Sequence, residues 1–130
     1  MIVVDASVVS GSLLQQDDDG TWARLVMRTT PLVAPHLMPA EVANVLRRSV
    51  LSRSVSEETA ARAHRRLSAL PVQLVPYEAL ADRVWALRNN LTPHDAWYVA
   101  IAENMGVPLA TLDRRLSRSS GPRCDFLTPS

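Results

Sequence analysis

Apolar residues occur along this chain in two rhythms. The first is a set of short consecutive runs. Ile2-Val3-Val4 is β-branched throughout, and Leu32–Pro35 (LVAP) and Val72–Val75 (VQLV) resemble it. Runs without polar alternation suit strands buried on both faces, as in a parallel sheet. The second rhythm has helical spacing. Residues 15–28 (QQDDDGTWARLVMR) read as an acidic, Gly-containing loop leading into an amphipathic helix. Residues 39–54 read as a helix with Pro39 in its first turn and Val42, Val45, Leu46 and Val50 on one side. Ser54 and Glu57 form an S-x-x-E start signal for a helix running to Pro71. Residues 77–90 predict another, with Leu80, Val84 and Leu87 inward. Residues 92–106 predict a further helix, with Thr92 as cap, Pro93 in the first turn and Gly106 at the exit. Its middle, AWYVAIA, is apolar almost all round, so it is expected to be buried on several sides. PLATLD (108–113) and CDFLTP (124–129) supply two final short strands.

Strands separated by helices predict an α/β fold, with a central, mostly parallel sheet of four to five strands covered on both faces. No repeat, low-complexity tract or linker divides the sequence, so residues 1–130 are expected to form one domain. The composition, 47% hydrophobic and 21% charged, fits a globular protein, and no apolar stretch reaches the length of a membrane span. With no signal-peptide pattern and a single Cys124, a cytoplasmic location is the default. The net charge of +1 gives no global argument for nucleic acid. All 14 basic residues are Arg, so mechanisms that need a lysine are excluded.

Four acids stand where apolar runs give way to loops or helix starts: Asp5, Glu41, Asp95 and Asp113. Each has a structural explanation. Asp5 and Asp113 can cap the segments that begin just after them, Glu41 suits a helix dipole, and Asp95 can complete a variant capping box. Together they point elsewhere, because strand ends and the first turns of the helices after them share one rim of a parallel sheet, where such folds bind ligands. Carboxylates gathered there raise one another's pKa values unless a cation neutralises them. An all-oxygen donor set suits Mg²⁺ or Mn²⁺ rather than zinc. Metal-assisted phosphodiester hydrolysis is the chemistry this implies. Ser7 can hydrogen-bond a ligating carboxylate or the phosphate, or cap a helix.

Other clusters read more plainly. Asp17, Asp18 and Asp19 before Gly20 suggest a solvated acidic loop. Arg47, Arg48, Arg53, Arg62, Arg65 and Arg66 suggest solvated helix faces, or a surface for phosphate or an acidic partner segment. His94 is expected to be exposed, and Trp22, Trp85 and Trp97 to serve a core or an interface.

Four stretches in order, IVVDAS, PAEVANVLRR, LTPHDAWYVAIAE and LATLDRRL, give the chain a resemblance to PIN-domain ribonucleases of the VapC toxin type. The resemblance spans nearly the whole chain, with 10–35 and 54–76 matching only in general character. It implies a three-layer α/β sandwich. It makes Asp5, Glu41, Asp95 and Asp113 the catalytic acids that bind Mg²⁺ or Mn²⁺, with Ser7, Asn44 and Arg114 as supporting or phosphate-contacting residues. It further implies endoribonuclease activity with water as the attacking group, leaving a 5′-phosphate and a 3′-hydroxyl. The expected partners are an RNA substrate, a cognate antitoxin whose C-terminal segment covers the site, and a second copy in a homodimer. Two competing readings are a catalytically silent partner-binding module and a metal-dependent phosphodiesterase acting on DNA or small phosphoesters. A receiver-like module is disfavoured by the missing lysine.

Overall fold

The computed structural model describes residues 1–29 and 31–130. Its elements run β1 (Ile2–Val4), α1 (Ala6–Leu14), α2 (Asp18–Val26), β2 (Leu32–Pro35), α3 (Met38–Leu51), α4 (Glu57–Ser68) and β3 (Val72–Val75). A 3-10 turn (Glu78–Leu80) leads into α5 (Ala81–Ala86), followed by α6 (Pro93–Met105), β4 (Leu109–Ala110), α7 (Arg114–Ser117) and β5 (Phe126–Leu127). The five strands form one sheet in the order β3-β2-β1-β4-β5. Every pairing is parallel, so the sheet is wholly rather than mostly parallel, and helices flank it.

This order places the site. The chain winds outward from β1 to β2 and β3, then returns across the sheet to lay β4 on the other side of β1. The winding reverses between β1 and β4, and such a switch point opens a crevice at the carboxyl ends of the strands. Asp5 directly follows β1, and Asp113 follows β4. α3 follows β2, so its first turn, carrying Glu41, starts at the same rim; α6 comes after α5 instead, and its first turn reaches the rim with Asp95 close enough to feel the charges of Asp5 and Asp113.

The consecutive apolar residues of β1 and β2 are buried as the pattern requires: Val3, Val4, Val33 and Ala34 have no exposure. α6 lies across β1, β2 and β4, which explains why it is apolar almost all round. Thr92 caps it, and Gly106 ends it at φ 66°, a left-handed conformation that glycine adopts without a side-chain clash. Leu80, Val84 and Leu87 are buried as expected. A smaller cluster of Leu46, Ala60 and Ala63 joins α3 to α4.

The structure departs from the sequence reading in four places. Residues 6–14 form α1, which no apolar periodicity announces, because all sides of this helix meet other elements and small residues dominate it. The acidic stretch is not a loop. Asp17 caps α2 by accepting from the Gly20 N–H at 3.0 Å, and Asp18 and Asp19 occupy the first turn, where negative charge suits the dipole. Ser56, not Ser54, caps α4, through the Thr59 N–H at 3.1 Å. The helix expected over 77–90 is limited to a 3-10 turn and the six residues of α5.

Gly20 lies in α2 because the preceding loop crosses directly over it. A Cβ there would sit 2.1 Å from the Gln15 carbonyl oxygen. In a free helix Gly→Ala gains about 1 kcal/mol. Here the backbone clash reverses the sign, and Gly20→Ala is expected to lower stability by about 1–3 kcal/mol. Urea denaturation measures this directly, and an unchanged or raised midpoint would contradict the close approach.

Candidate active site

Asp5 sits at the centre of the rim, almost wholly buried. One oxygen, Oδ1, accepts from the Ser7 hydroxyl at 2.5 Å and from the Val8 N–H at 3.1 Å, so Asp5 also caps α1. The other, Oδ2, accepts from the Thr111 hydroxyl. Both hydroxyls are themselves held by the turn after β4. Ser7 Oγ accepts from the Leu112 N–H at 3.0 Å, and Thr111 Oγ1 accepts from the Asp113 N–H at 2.9 Å. Two backbone N–H groups thus reach Asp5 through two hydroxyls, locking the ends of β1 and β4 together. Burial pushes the Asp5 carboxyl up to about 6, against the lowering influence of these hydrogen bonds, and the nearby Asp95 charge adds to the rise.

The other three acids surround it. Glu41, half-buried in the first turn of α3, accepts at Oε1 from the Tyr98 hydroxyl of α6 at 2.8 Å. Its carboxyl is raised by burial, with Asp95 contributing and Tyr98 and the exposed His94 opposing. Asp95 stands in the first turn of α6, whose cap bond runs from the Asp95 N–H to Thr92 Oγ1 at 3.3 Å. Its carboxyl is raised by burial and by the charge of Asp113, with the Thr92 hydroxyl, His94 and Arg115 opposing. Asp113 caps α7 through Oδ1, accepting from the N–H groups of Arg115 and Leu116 at 3.0 and 3.2 Å. Asp95 is therefore the hub, coupled to each of the other three acids. Asp95 and Asp113 also line a cavity of about 300 Å³ with Asn90, Leu91, Thr92 and Arg115.

Among the described residues no three His, Cys, Asp or Glu side chains converge closely enough to share an ion. The reason is visible in the hydrogen bonds: Asp5, Glu41 and Asp113 each turn an oxygen toward a protein donor. The donor set nevertheless fits a hard divalent cation. Glu41 Oε2 and Asp113 Oδ2 accept no hydrogen bond from the described residues, the Asp95 carboxylate meets the Thr92 hydroxyl as its donor, and the charges of Asp95 and Asp113 repel.

The remaining sequence candidates fall unevenly. Ser7 holds Asp5 and does not cap α1. Asn44 is exposed on α3. Arg114 turns away to Asp19 of α2, 3.6 Å distant, whereas its neighbour Arg115 faces the cavity. Sequence reasoning missed Thr111, Tyr98 and Arg115. Tyr98 had a signal, being three residues after Asp95 and so on the same helical face. Thr111 could be found only from strand register: Val4 pairs with Ala110, which brings the next residues, Asp5 and Thr111, side by side.

Comparison with known proteins identifies the family. The PIN domain family matches residues 2–121. Ribonuclease VapC1 of Mycobacterium tuberculosis is 40% identical over 128 residues, covering 95% of this chain and 94% of that protein. Ribonuclease VapC9 of the same organism is 38% identical over 124 residues, with the same coverage. Among solved structures, PAE2754 from Pyrobaculum aerophilum superposes with a TM-score of 0.71 at 24% identity, covering 96% of this chain and 81% of that one. VapBC2 from Rickettsia felis, bound to a promoter DNA fragment, has a TM-score of 0.68 at 13% identity and 98% coverage of both chains. With the family match over residues 2–121 and relatives of 40% and 38% identity across 95% of its length, this chain belongs to the PIN-domain family and, within it, to the VapC proteins.

Proposed function

We propose that this chain is a toxin endoribonuclease that uses Mg²⁺ or Mn²⁺ to hydrolyse RNA phosphodiester bonds with water, and that a cognate antitoxin silences it. The observation that carries this reading is the rim of coupled carboxylates at the β1–β4 switch point, with oxygens on Glu41 and Asp113 left without donors. The names of the VapC1 and VapC9 relatives supply the substrate class. Asp5, Glu41, Asp95 and Asp113 are the residues that would hold the ion. A divalent ion there supplies Lewis acidity toward water and toward charge developing on the phosphate. Ser7 and Thr111 keep the Asp5 carboxylate rigid, and Tyr98 does the same for Glu41. Such rigidity lowers the reorganisation needed when charge moves.

The reading includes one domain acting as a homodimer in the cytoplasm. Among the described residues, no helix is long and apolar enough to cross a membrane. For the antitoxin, the surface offered is the apolar groove between α3 and α4, lined by Ala43, Leu46, Val50, Leu51 and Ala60 and edged by Arg47. Exposed Arg48, Arg65 and Arg66 on the same helices suit an acidic amphipathic segment.

Purified protein should cleave RNA with Mg²⁺ or Mn²⁺ and stop when EDTA is added. End-mapping should show 5′-phosphate and 3′-hydroxyl termini. Undiminished cleavage in EDTA, or cleavage of DNA or small phosphoesters but not RNA, would overturn the assignment.

A further inference from the structure

We infer that the cavity beside the acidic rim is a subsite for a backbone phosphate of single-stranded RNA flanking the bond to be cut, and that Arg115 is its binding residue. The inference rests on the ribonuclease reading and adds the location of the flanking contact. Two adjacent arginines come after Asp113, and the structure separates them. The Arg114 guanidinium pairs with Asp19 at 3.6 Å, so its charge is spent on holding α7 to α2. Arg115 lines the cavity with Asp95, Asp113, Thr92 and Asn90, and no carboxylate of the described residues lies within ion-pair distance of it. It stands close enough to Asp95 to favour that residue's charged form.

The cavity is otherwise hostile to an anion. Asp95 and Asp113 repel one, the Asn90 amide gives an N–H to the Ser120 carbonyl at 2.6 Å, and Thr92 Oγ1 accepts the helix-cap N–H while its hydroxyl serves Asp95. Arg115 is thus the one cation among the lining residues able to receive a phosphate. A guanidinium matches phosphate oxygens with two parallel N–H donors. The volume, about 300 Å³, suits one flanking unit of a strand rather than a duplex. An unpaired strand can thread beside the rim, consistent with the general preference for single-stranded RNA in site-specific recognition.

The test is the salt dependence of binding of a fluorescent single-stranded RNA oligomer in EDTA, where nothing is cut. Arg115→Gln should weaken binding several-fold and flatten the log–log salt slope by about 0.7, the change for one lost phosphate contact. Arg115→Lys should restore most of the slope, as a point charge does. With Mg²⁺ present, Arg115→Gln should raise KM with little change in kcat, the mark of a contact made equally in the ground and transition states. The subsite is overturned if the Arg115→Gln slope equals that of the parent chain, if Arg114→Gln alone flattens it, if kcat falls with KM unchanged, or if the parent does not bind the oligomer. Binding with an Arg115-dependent slope but no cleavage under any metal would keep the subsite and refute the ribonuclease reading. Cleavage by the parent with a slope indifferent to Arg115 would do the reverse.

Discussion

Asp5→Asn should unfold at a higher temperature than the parent chain when both are kept metal-free near pH 8. Asp5 is buried, and burial holds its carboxyl near 6 in the folded protein against 3.8 for an unperturbed group. The folded state therefore binds the proton more tightly than the unfolded chain. Its contribution to stability is full below the unfolded pKa, declines as pH rises through the folded pKa, and is gone above it. A difference of about two pH units corresponds to about 3 kcal/mol of burden at neutral pH and above. Asparagine removes that burden while its carbonyl keeps the bonds from Ser7 and Val8. The amide cannot accept from Thr111, which costs about 1 kcal/mol. The net gain of about 2 kcal/mol is roughly 6–10 °C in Tm for a chain of this size. Near pH 4 the gain should vanish or change sign, because the parent carboxyl is then largely neutral. Added Mg²⁺ should raise the parent's Tm more than the variant's, since a ligand of the native state stabilises it by mass action. Thermal melts at the two pH values decide the matter. A variant that melts below the parent near pH 8 would mean that Asp5 serves the fold as a cap, and its charge is no burden.

The double role of Asp5 shows where sequence reading succeeded and where it stopped. Ile2-Val3-Val4 with an acid directly after it was legible because consecutive β-branched residues have few alternatives to a buried parallel strand. Thr92-Pro93 and Gly106 marked both ends of α6 because each carries a local backbone requirement that survives tertiary packing. Capping does not compete with a rim role at Asp5 and Asp113: both residues cap helices and both stand at the rim, so the cap signal decides nothing. α1 was illegible because its Ser, Gly and Val residues have weak helix preference and the helix has no polar face. The Asp17–Asp19 stretch misled because Gly20 reads as a turn signal, whereas close approach of the Gln15 backbone is what requires glycine. The choice between Arg114 and Arg115 depends on Asp19, nearly a hundred residues upstream and brought near only by the fold. Local pattern carries no such information.

Asp95→Asn should reduce RNA cleavage by about a thousand-fold while leaving the fold intact, the largest functional effect expected of one substitution. Asp95 is coupled to Asp5, Glu41 and Asp113 at once, and the donor that eases its charge is the Thr92 hydroxyl, which an asparagine carbonyl also accepts. Nothing structural depends on its charge. The α6 cap is made by Thr92 to the Asp95 backbone N–H, which asparagine retains. Loss of a single preorganised charge in an active site costs about 10²–10³ in rate, and the hub position places Asp95 at the upper end. Its Tm in EDTA should equal or exceed the parent's, since a repulsive charge is removed. Glu103 provides the contrasting acid. Its carboxylate receives Arg83 Nε at 2.6 Å, Arg83 Nη2 at 3.0 Å and the Arg123 N–H at 2.7 Å. Burial alone would raise its pKa, but these donors bring it below the ordinary value. Glu103→Gln should therefore lose about 2 kcal/mol of stability and keep its cleavage rate at temperatures where it stays folded. Paired melts and single-turnover cleavage assays separate the two acids. If Asp95→Asn melts well below the parent, or cuts RNA at a comparable rate, then Asp95 belongs to the scaffold and the rim's repulsion has some purpose other than holding a cation.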